Sequence, residues 1–231
     1  VFGGSIPGIT GTNKSWDGTN WTEVGDLNTA RSSLAGSGVD TDALAFGGSA
    51  PSVTGATENY NGTSWTEVAD LATARGGGLV GVGTSSSSLA AGGSTTANVA
   101  VTEEWTVTPA PTFTKINLGQ VYYNSTSNAF KVTQQSTPAG TWASGGNLNQ
   151  ARSQGGNNAS GGSASIGLVS GGNSYSPGIS YDNTEIYNGT AWTEVNNINT
   201  IRGYSAGAGT PAGALVVSGY AAPSPGPAGY R

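Results

Sequence analysis

Short apolar stretches closed off by Gly, Asn, Asp or Ser recur along this chain at regular intervals. In one cycle, Leu34-Ala35-Gly36, Ala43-Leu44-Ala45-Phe46, Thr57-Glu58-Asn59-Tyr60 and Trp65-Thr66-Glu67-Val68 predict four short β-strands. Between the third and fourth of these, Asp17-Gly18, Asn61-Gly62 and Asn188-Gly189 predict two-residue type I′ turns, in which both central residues take positive φ. Each cycle is thus expected to be one antiparallel sheet, with small residues where neighbouring sheets crowd together.

The cycles are near-copies of one another. WDGTNWTEVGDLNTAR (16–31), YNGTSWTEVADLATAR (60–75) and YNGTAWTEVNNINTIR (187–202) align without gaps, and TWASGGNLNQAR (141–152) shares their second half. In all four the Trp and the closing Arg lie ten positions apart: Trp21 and Arg31, Trp65 and Arg75, Trp142 and Arg152, Trp192 and Arg202. Glycine doublets precede each unit at Gly3-Gly4, Gly47-Gly48, Gly92-Gly93 and Gly171-Gly172, and Gly219 marks a single-glycine fifth. The repeat length is 44 from Arg31 to Arg75 and 50 from Arg152 to Arg202, within the range of β-propeller blades. A lone four-stranded sheet leaves two faces and its edges uncovered, and radial stacking covers them.

A strand ending in Gly-Gly, an aromatic near the third strand (Tyr60, Tyr187) and a Trp on the fourth (Trp65, Trp192) resemble the Kelch motif over residues 1–105 and 142–220. The resemblance implies an all-β Kelch-type propeller of four-stranded blades, four to five of them within residues 1–105 and 142–231, with both ends cut inside a blade. The Tyr-to-Trp gap of five is shorter than the usual Kelch spacing and implies a tighter hairpin in a divergent subgroup. The phrase TENYNGTSWTEVADLATAR with LAFGG also resembles Kelch-like arrays in structural and tail proteins of marine tailed bacteriophages.

The third unit is interrupted. Its aromatic, Trp105, and its Trp142 are 37 positions apart where the others are five apart. An insert over 106–141 opens with Pro109-Ala110-Pro111 and contains a predicted hairpin, with strands Gln120 to Tyr123 and Ala129 to Thr133 about a turn at Asn124 to Asn128. GQVYYNSTSNAFKV resembles an element of phage tail-fibre proteins. Tyr122, Tyr123, Asn124, Phe130 and Lys131 are the candidate binding residues. The alternatives are a tolerated loop insertion, and rings that simply pack the hairpin down.

Composition narrows the chemistry. Only 9% of residues are charged and 39 of 231 are Gly, which on its own suggests disorder, but six Trp and nine Tyr at recurring positions argue for order. The net charge of −5 is dispersed, without a basic stripe to follow a phosphate backbone, so nucleic acid is not an expected partner. No apolar run approaches the roughly 20 residues of a membrane span. Val1 stands in mid-pattern and Met is absent, as in a segment of a longer protein.

With no His and no Cys, Ser-His-Asp and Cys-His machinery and imidazole or thiolate metal sites cannot be built from this chain. A two-carboxylate glycosidase needs neither. The acids, however, follow the repeat: Glu23, Glu67 and Glu194 in one position, Glu58, Glu103 or Glu104, and Glu185 in another. Repeat-borne residues are expected to support neighbouring blades, and the Arg to cap carbonyls or reach the adjacent blade. A calcium contact is conceivable at Asp40-Thr41-Asp42, but two carboxylates are few for an ion that takes about six to eight oxygens, and a solvated turn is the expectation. The acceptor triplets at Asn61, Asn124, Asn158 and Asn188 fit chance in such a composition, two of them being hairpin turns.

The expectation is therefore a non-enzymatic protein without cofactor or metal: a virion-surface or tail-fibre module that meets other virion proteins and a host-surface glycan or protein, with self-association possible and no membrane insertion. A bacterial extracellular adhesin binding polysaccharide, and a carbohydrate-active enzyme using Glu103 or Glu104, are the alternatives.

Overall fold

The computed structural model describes all residues except 6–7, 109–120, 133–139, 154–155, 175–178 and 221–231, and leaves undescribed the side chains of Tyr122, Val132 and residues 156–162. Pro109-Ala110-Pro111, Gln120, Thr133 and the Asn158 side chain therefore lie outside the described part. Within it the chain is all-β, with no helix and several antiparallel sheets. No helix is long and apolar enough to cross a membrane.

The first sheet holds β1 (Phe2–Ser5), β2 (Ile9–Trp16) and β3 (Trp21–Val24). The second is a complete four-stranded meander of β4 (Ala35–Val39), β5 (Asp42–Phe46), β6 (Thr57–Tyr60) and β7 (Trp65–Val68). The third begins with β8 (Gly76–Gly83), β9 (Ser87–Ser94) and β10 (Thr102–Val107). After a separate hairpin of β11 (Val121–Asn124) and β12 (Ala129–Val132), it ends with β13 (Gly140–Ser144), which pairs with β10. The fourth repeats the meander with β14 (Gly156–Ser163), β15 (Ile166–Ser170), β16 (Thr184–Tyr187) and β17 (Trp192–Val195). A last pair, β18 (Ala206–Thr210) and β19 (Gly213–Val217), joins it through one parallel bridge, Asn157 to Ala206.

The first strands of successive sheets lie side by side, β4 against β8, β8 against β14 and β14 against β18. Small residues permit this: a Cβ added at Gly81 would sit 2.7 Å from the Gly36 carbonyl oxygen of the neighbouring sheet. The core is correspondingly divided among the spaces between sheets. Leu27, Ala43, Ala45, Tyr60 and Trp65 fill the space between the first two. Leu44, Phe46, Leu79, Ala90 and Trp105 fill the next, and Val80, Leu89, Val169, Tyr187 and Trp192 the third. Fourth-strand Trp rings reach back onto the preceding sheet, Trp65 edge-on to Phe2 at 5.2 Å and Trp142 to Phe46 at 5.0 Å between centroids. Such ring pairs add about 0.5–1.5 kcal/mol beyond area burial. No strand pairing joins β18–β19 to β1–β3, and no closed ring is formed by the described residues.

Local differences from the predicted elements have physical causes. The hairpins at Asp17, Asn61 and Asn188 are four-residue loops, not two-residue type I′ turns, because Trp16 sits opposite Trp21, Tyr60 opposite Trp65 and Tyr187 opposite Trp192. Only the glycine takes positive φ, +90° at Gly62. The preceding Asn instead caps the loop: Asn61 Oδ1 accepts the Thr63 and Ser64 N–H groups, both at 3.0 Å. The first strand starts at Ala35 and continues to Val39, leaving Leu34 outside it. The insert is shorter than 106–141, since Thr106 pairs with Thr141 and Val107 with Gly140 inside the sheet ladder.

The glycine doublets are required by a carbonyl. The Gly48 N–H donates to the Arg75 carbonyl oxygen at 3.0 Å, and Gly4 to Arg31, Gly93 to Arg152 and Gly172 to Arg202 repeat the bond. To make it, Gly47 takes φ +65° and comes so near that a Cβ there would lie 2.5 Å from the same oxygen. Gly47→Ala should therefore destabilise the protein by roughly 1–3 kcal/mol in urea denaturation. Gly213→Ala, at a strand position with open space around it, should stay within about 0.5 kcal/mol of the parent.

Candidate interaction surface

The four conserved-length Trp-to-Arg units place each Arg at the end of its own sheet, pointing into the next. Arg31 Nη1 donates to Glu58 Oε1 on β6 at 2.7 Å, Arg75 to Glu103 on β10, and Arg152 to Glu185 on β16. Both partners of each pair are buried. Each guanidinium also donates to carbonyls of the next sheet in or just after its second strand: Arg31 to Ala45 at 3.3 Å, Arg75 to Ala90 at 3.1 Å and Gly92 at 3.0 Å, and Arg152 to Gly171, just past β15, at 2.9 Å. The carboxylate returns the connection. Glu58 Oε2 accepts the Asn28 N–H and Glu185 Oε2 the Asn149 N–H, while Glu103 Oε2 accepts the Ala72 N–H, all at 2.7 Å. Burial pulls all three guanidinium groups below their ordinary pKa, and the adjacent carboxylates pull them back up.

These contacts account for the buried third-strand acids. Glu103, not Glu104, is the repeat position, and Glu104 instead accepts a hydrogen bond from the Tyr187 hydroxyl of the next sheet. The two carboxylates singled out for a glycosidase reading are thus held by different structural partners. Glu23, Glu67 and Glu194 are exposed, and Glu23 makes a surface pair with Lys14 at 3.5 Å. Asp42 Oδ2 accepts the Ser85 hydroxyl at 2.6 Å across two sheets. Among the described residues no three acidic groups gather as a metal site would require.

Of the candidate binding residues, Tyr123 and Phe130 come together. They face each other in register, their rings edge to face at 5.4 Å, and remain 52% and 75% exposed. The Tyr123 hydroxyl donates to Asn128. Asn124 is committed to the turn, its Oδ1 accepting the Thr126 and Ser127 N–H groups at 3.0 Å. Lys131 is exposed and lies opposite Tyr122. At these exposures the two rings are not packing the hairpin down.

A second aromatic surface was not visible in the sequence. Between the first two sheets lies a cleft of about 610 Å³ lined by Phe2, Trp16, Trp21, Tyr60, Trp65 and Lys14, among others. Trp65 is buried there, whereas its counterpart Trp21 is 55% exposed. The repeat makes the two Trp look equivalent. They differ because Trp65 has a preceding sheet to pack on and Trp21 has none among the described residues.

No protein-family profile and no curated protein sequence matches the chain.

The link between the third and fourth sheets also has a pH signature. Burial, reinforced by the hydrogen bond to Glu104, raises the Tyr187 pKa to about 12. A tyrosine whose folded value lies above its unfolded value of about 10 contributes full stability below pH 10 and loses it as pH rises toward 12. Absorbance titration should show Tyr187 ionising after the exposed tyrosines, and Glu104→Gln should move it only part of the way back, since burial is the larger cause.

Proposed function

We propose that this chain is a non-enzymatic interaction module built as a Kelch-type β-propeller and carried on a virion surface, such as a tail fibre, where it binds a host-surface glycan or protein and contacts other virion proteins. Successive four-stranded meanders with adjacent innermost strands support the propeller architecture. The virion setting rests on the resemblance of the repeats and of GQVYYNSTSNAFKV to tail-fibre sequences.

The observation that carries the reading is a division of labour among side chains. The three buried carboxylates, Glu58, Glu103 and Glu185, are engaged in the same inter-sheet joint, while exposed aromatic surface is offered by Tyr123 and Phe130 on the inserted hairpin. Loops carried on a rigid scaffold are where recognition is usually placed, and aromatic faces suit sugar rings.

The expected result is binding of the purified protein to a subset of glycans or to host cells. Binding should fall about tenfold or more in the double variant Tyr123→Ala and Phe130→Ala, equivalent to roughly 1.4 kcal/mol, with the thermal midpoint unchanged. Mass spectrometry of purified particles should find the chain there. Absence from particles, or binding indifferent to both rings, contradicts the proposal.

A further inference from the structure

In all three joints between sheets a Glu of the third strand meets the preceding Arg. In two of them a fourth-strand Trp Nε1–H also donates to a preceding Thr, whereas Trp65 Nε1 in the second sheet has no partner among the described residues. In the third sheet these are Glu103 on Arg75 and Trp142 on Thr57 Oγ1 at 3.2 Å. In the fourth they are Glu185 on Arg152 and Trp192 on Thr102 Oγ1 at 3.0 Å.

The same two receptor groups recur once more, ahead of β18 and β19, and there, among the described residues, the Thr lacks its Trp and the Arg its Glu. Thr184 takes the place of Thr57 and Thr102 at the start of its strand. It is 6% exposed, and its Oγ1 has no hydrogen-bond partner among the described residues. Arg202 takes the place of Arg75 and Arg152: its Nη1 donates to the Ser218 carbonyl at 2.9 Å in β19's own sheet, but no carboxylate among the described residues pairs with it. Residues 199–202, Asn-Thr-Ile-Arg, repeat residues 28–31, Asn-Thr-Ala-Arg, whose Asn28 and Thr29 N–H groups bind Glu58. Beside them the outer edge of β19 is unpaired among the described residues, and Leu215 and Val217 are exposed where Leu44 and Phe46 of β5 are buried.

The chain's own N-terminal hairpin does not suit this place. β2–β3 supplies the Trp, Trp21, but not the acid. Lys14 lies opposite Glu23, in the register position where Glu58 lies opposite Glu67 and Glu185 opposite Glu194. Seating β2–β3 on β19 would set the Lys14 ammonium against the Arg202 guanidinium, and like charges brought together at an interface disfavour it.

We infer that the open edge of β19 is an acceptor for a β-hairpin from outside these 231 residues, patterned Thr-Glu-x-Tyr followed by Trp, whose Glu binds Arg202 and whose Trp donates to Thr184; β2–β3, already paired with β1 and carrying Lys14 in place of the Glu, does not fill the site. Main-chain pairing along β19 supplies sequence-independent affinity, and the acid and the indole supply register. This inference rests on the sheet geometry and stands or falls independently of any host-surface role.

The probe is a synthetic peptide with the sequence of residues 183–195, added to the intact chain and followed by calorimetry and amide hydrogen exchange. It should bind, protect the β19 amides and raise the thermal midpoint. Its Glu185→Lys counterpart should bind at least about tenfold more weakly, and the Arg202→Glu protein should reverse that preference. Three results overturn the inference: no binding at about 1 mM peptide, equal binding of the Glu and Lys peptides, or binding of a residue 12–24 peptide as tight as that of 183–195.

Discussion

The structure depends on one buried ion pair used three times. Arg31, Arg75 and Arg152 each offer a backbone carbonyl to the glycine doublet of their own sheet and a guanidinium to the Glu of the next. A single residue thereby ties the end of one sheet to the start of the following one. Two charges removed from water are costly unless each is paired and hydrogen-bonded, and removing one partner from such a pair typically costs about 3–5 kcal/mol. Both carboxylate oxygens of Glu58, Glu103 and Glu185 accept hydrogen bonds from the sheet before, so the joint is met only when the sheets stand in the correct register. Its contribution is to arrangement more than to net stability.

The glycine doublets and the Trp rings follow from the same constraint. The Arg carbonyl must be approached closely by backbone, which calls for positive φ and no Cβ. In the fifth unit Ser218 takes that conformation instead, with φ 60°. Trp65, Trp142 and Trp192 then close over the joint from the far side, joining apolar surface of two sheets into one packed space. Because the core lies between sheets, a sheet with no preceding neighbour among the described residues leaves its fourth-strand ring in water, as Trp21 shows.

Much of this was legible in the sequence. The strands at Thr57–Tyr60 and Trp65–Val68, the hairpin near Val121–Val132 and the spacing of Trp and Arg could be read directly. The partner of each Arg could not, since it lies 27, 28 or 33 residues ahead, on another sheet. Neither could the choice of Glu103 over its neighbour Glu104, which depends on which side of β10 faces the joint. The Asn-Gly pairs suggested a two-residue turn because the residue opposite Tyr60 is set by cross-strand pairing, not by the dipeptide. Exposure at Tyr123 and Phe130, and its contrast between Trp21 and Trp65, depends on what packs nearby and carries no local signal.

A double-mutant cycle in urea denaturation tests the central claim most directly. The cycle on Arg75→Met and Glu103→Leu should give a coupling of about 2–4 kcal/mol, in the range for residues sharing one buried network. The cycle on Arg75→Met and Glu67→Leu, which pairs Arg75 with the exposed Glu of its own unit, should give a value within about 0.5 kcal/mol of zero. Coupling to Glu67 but not to Glu103 would contradict the account.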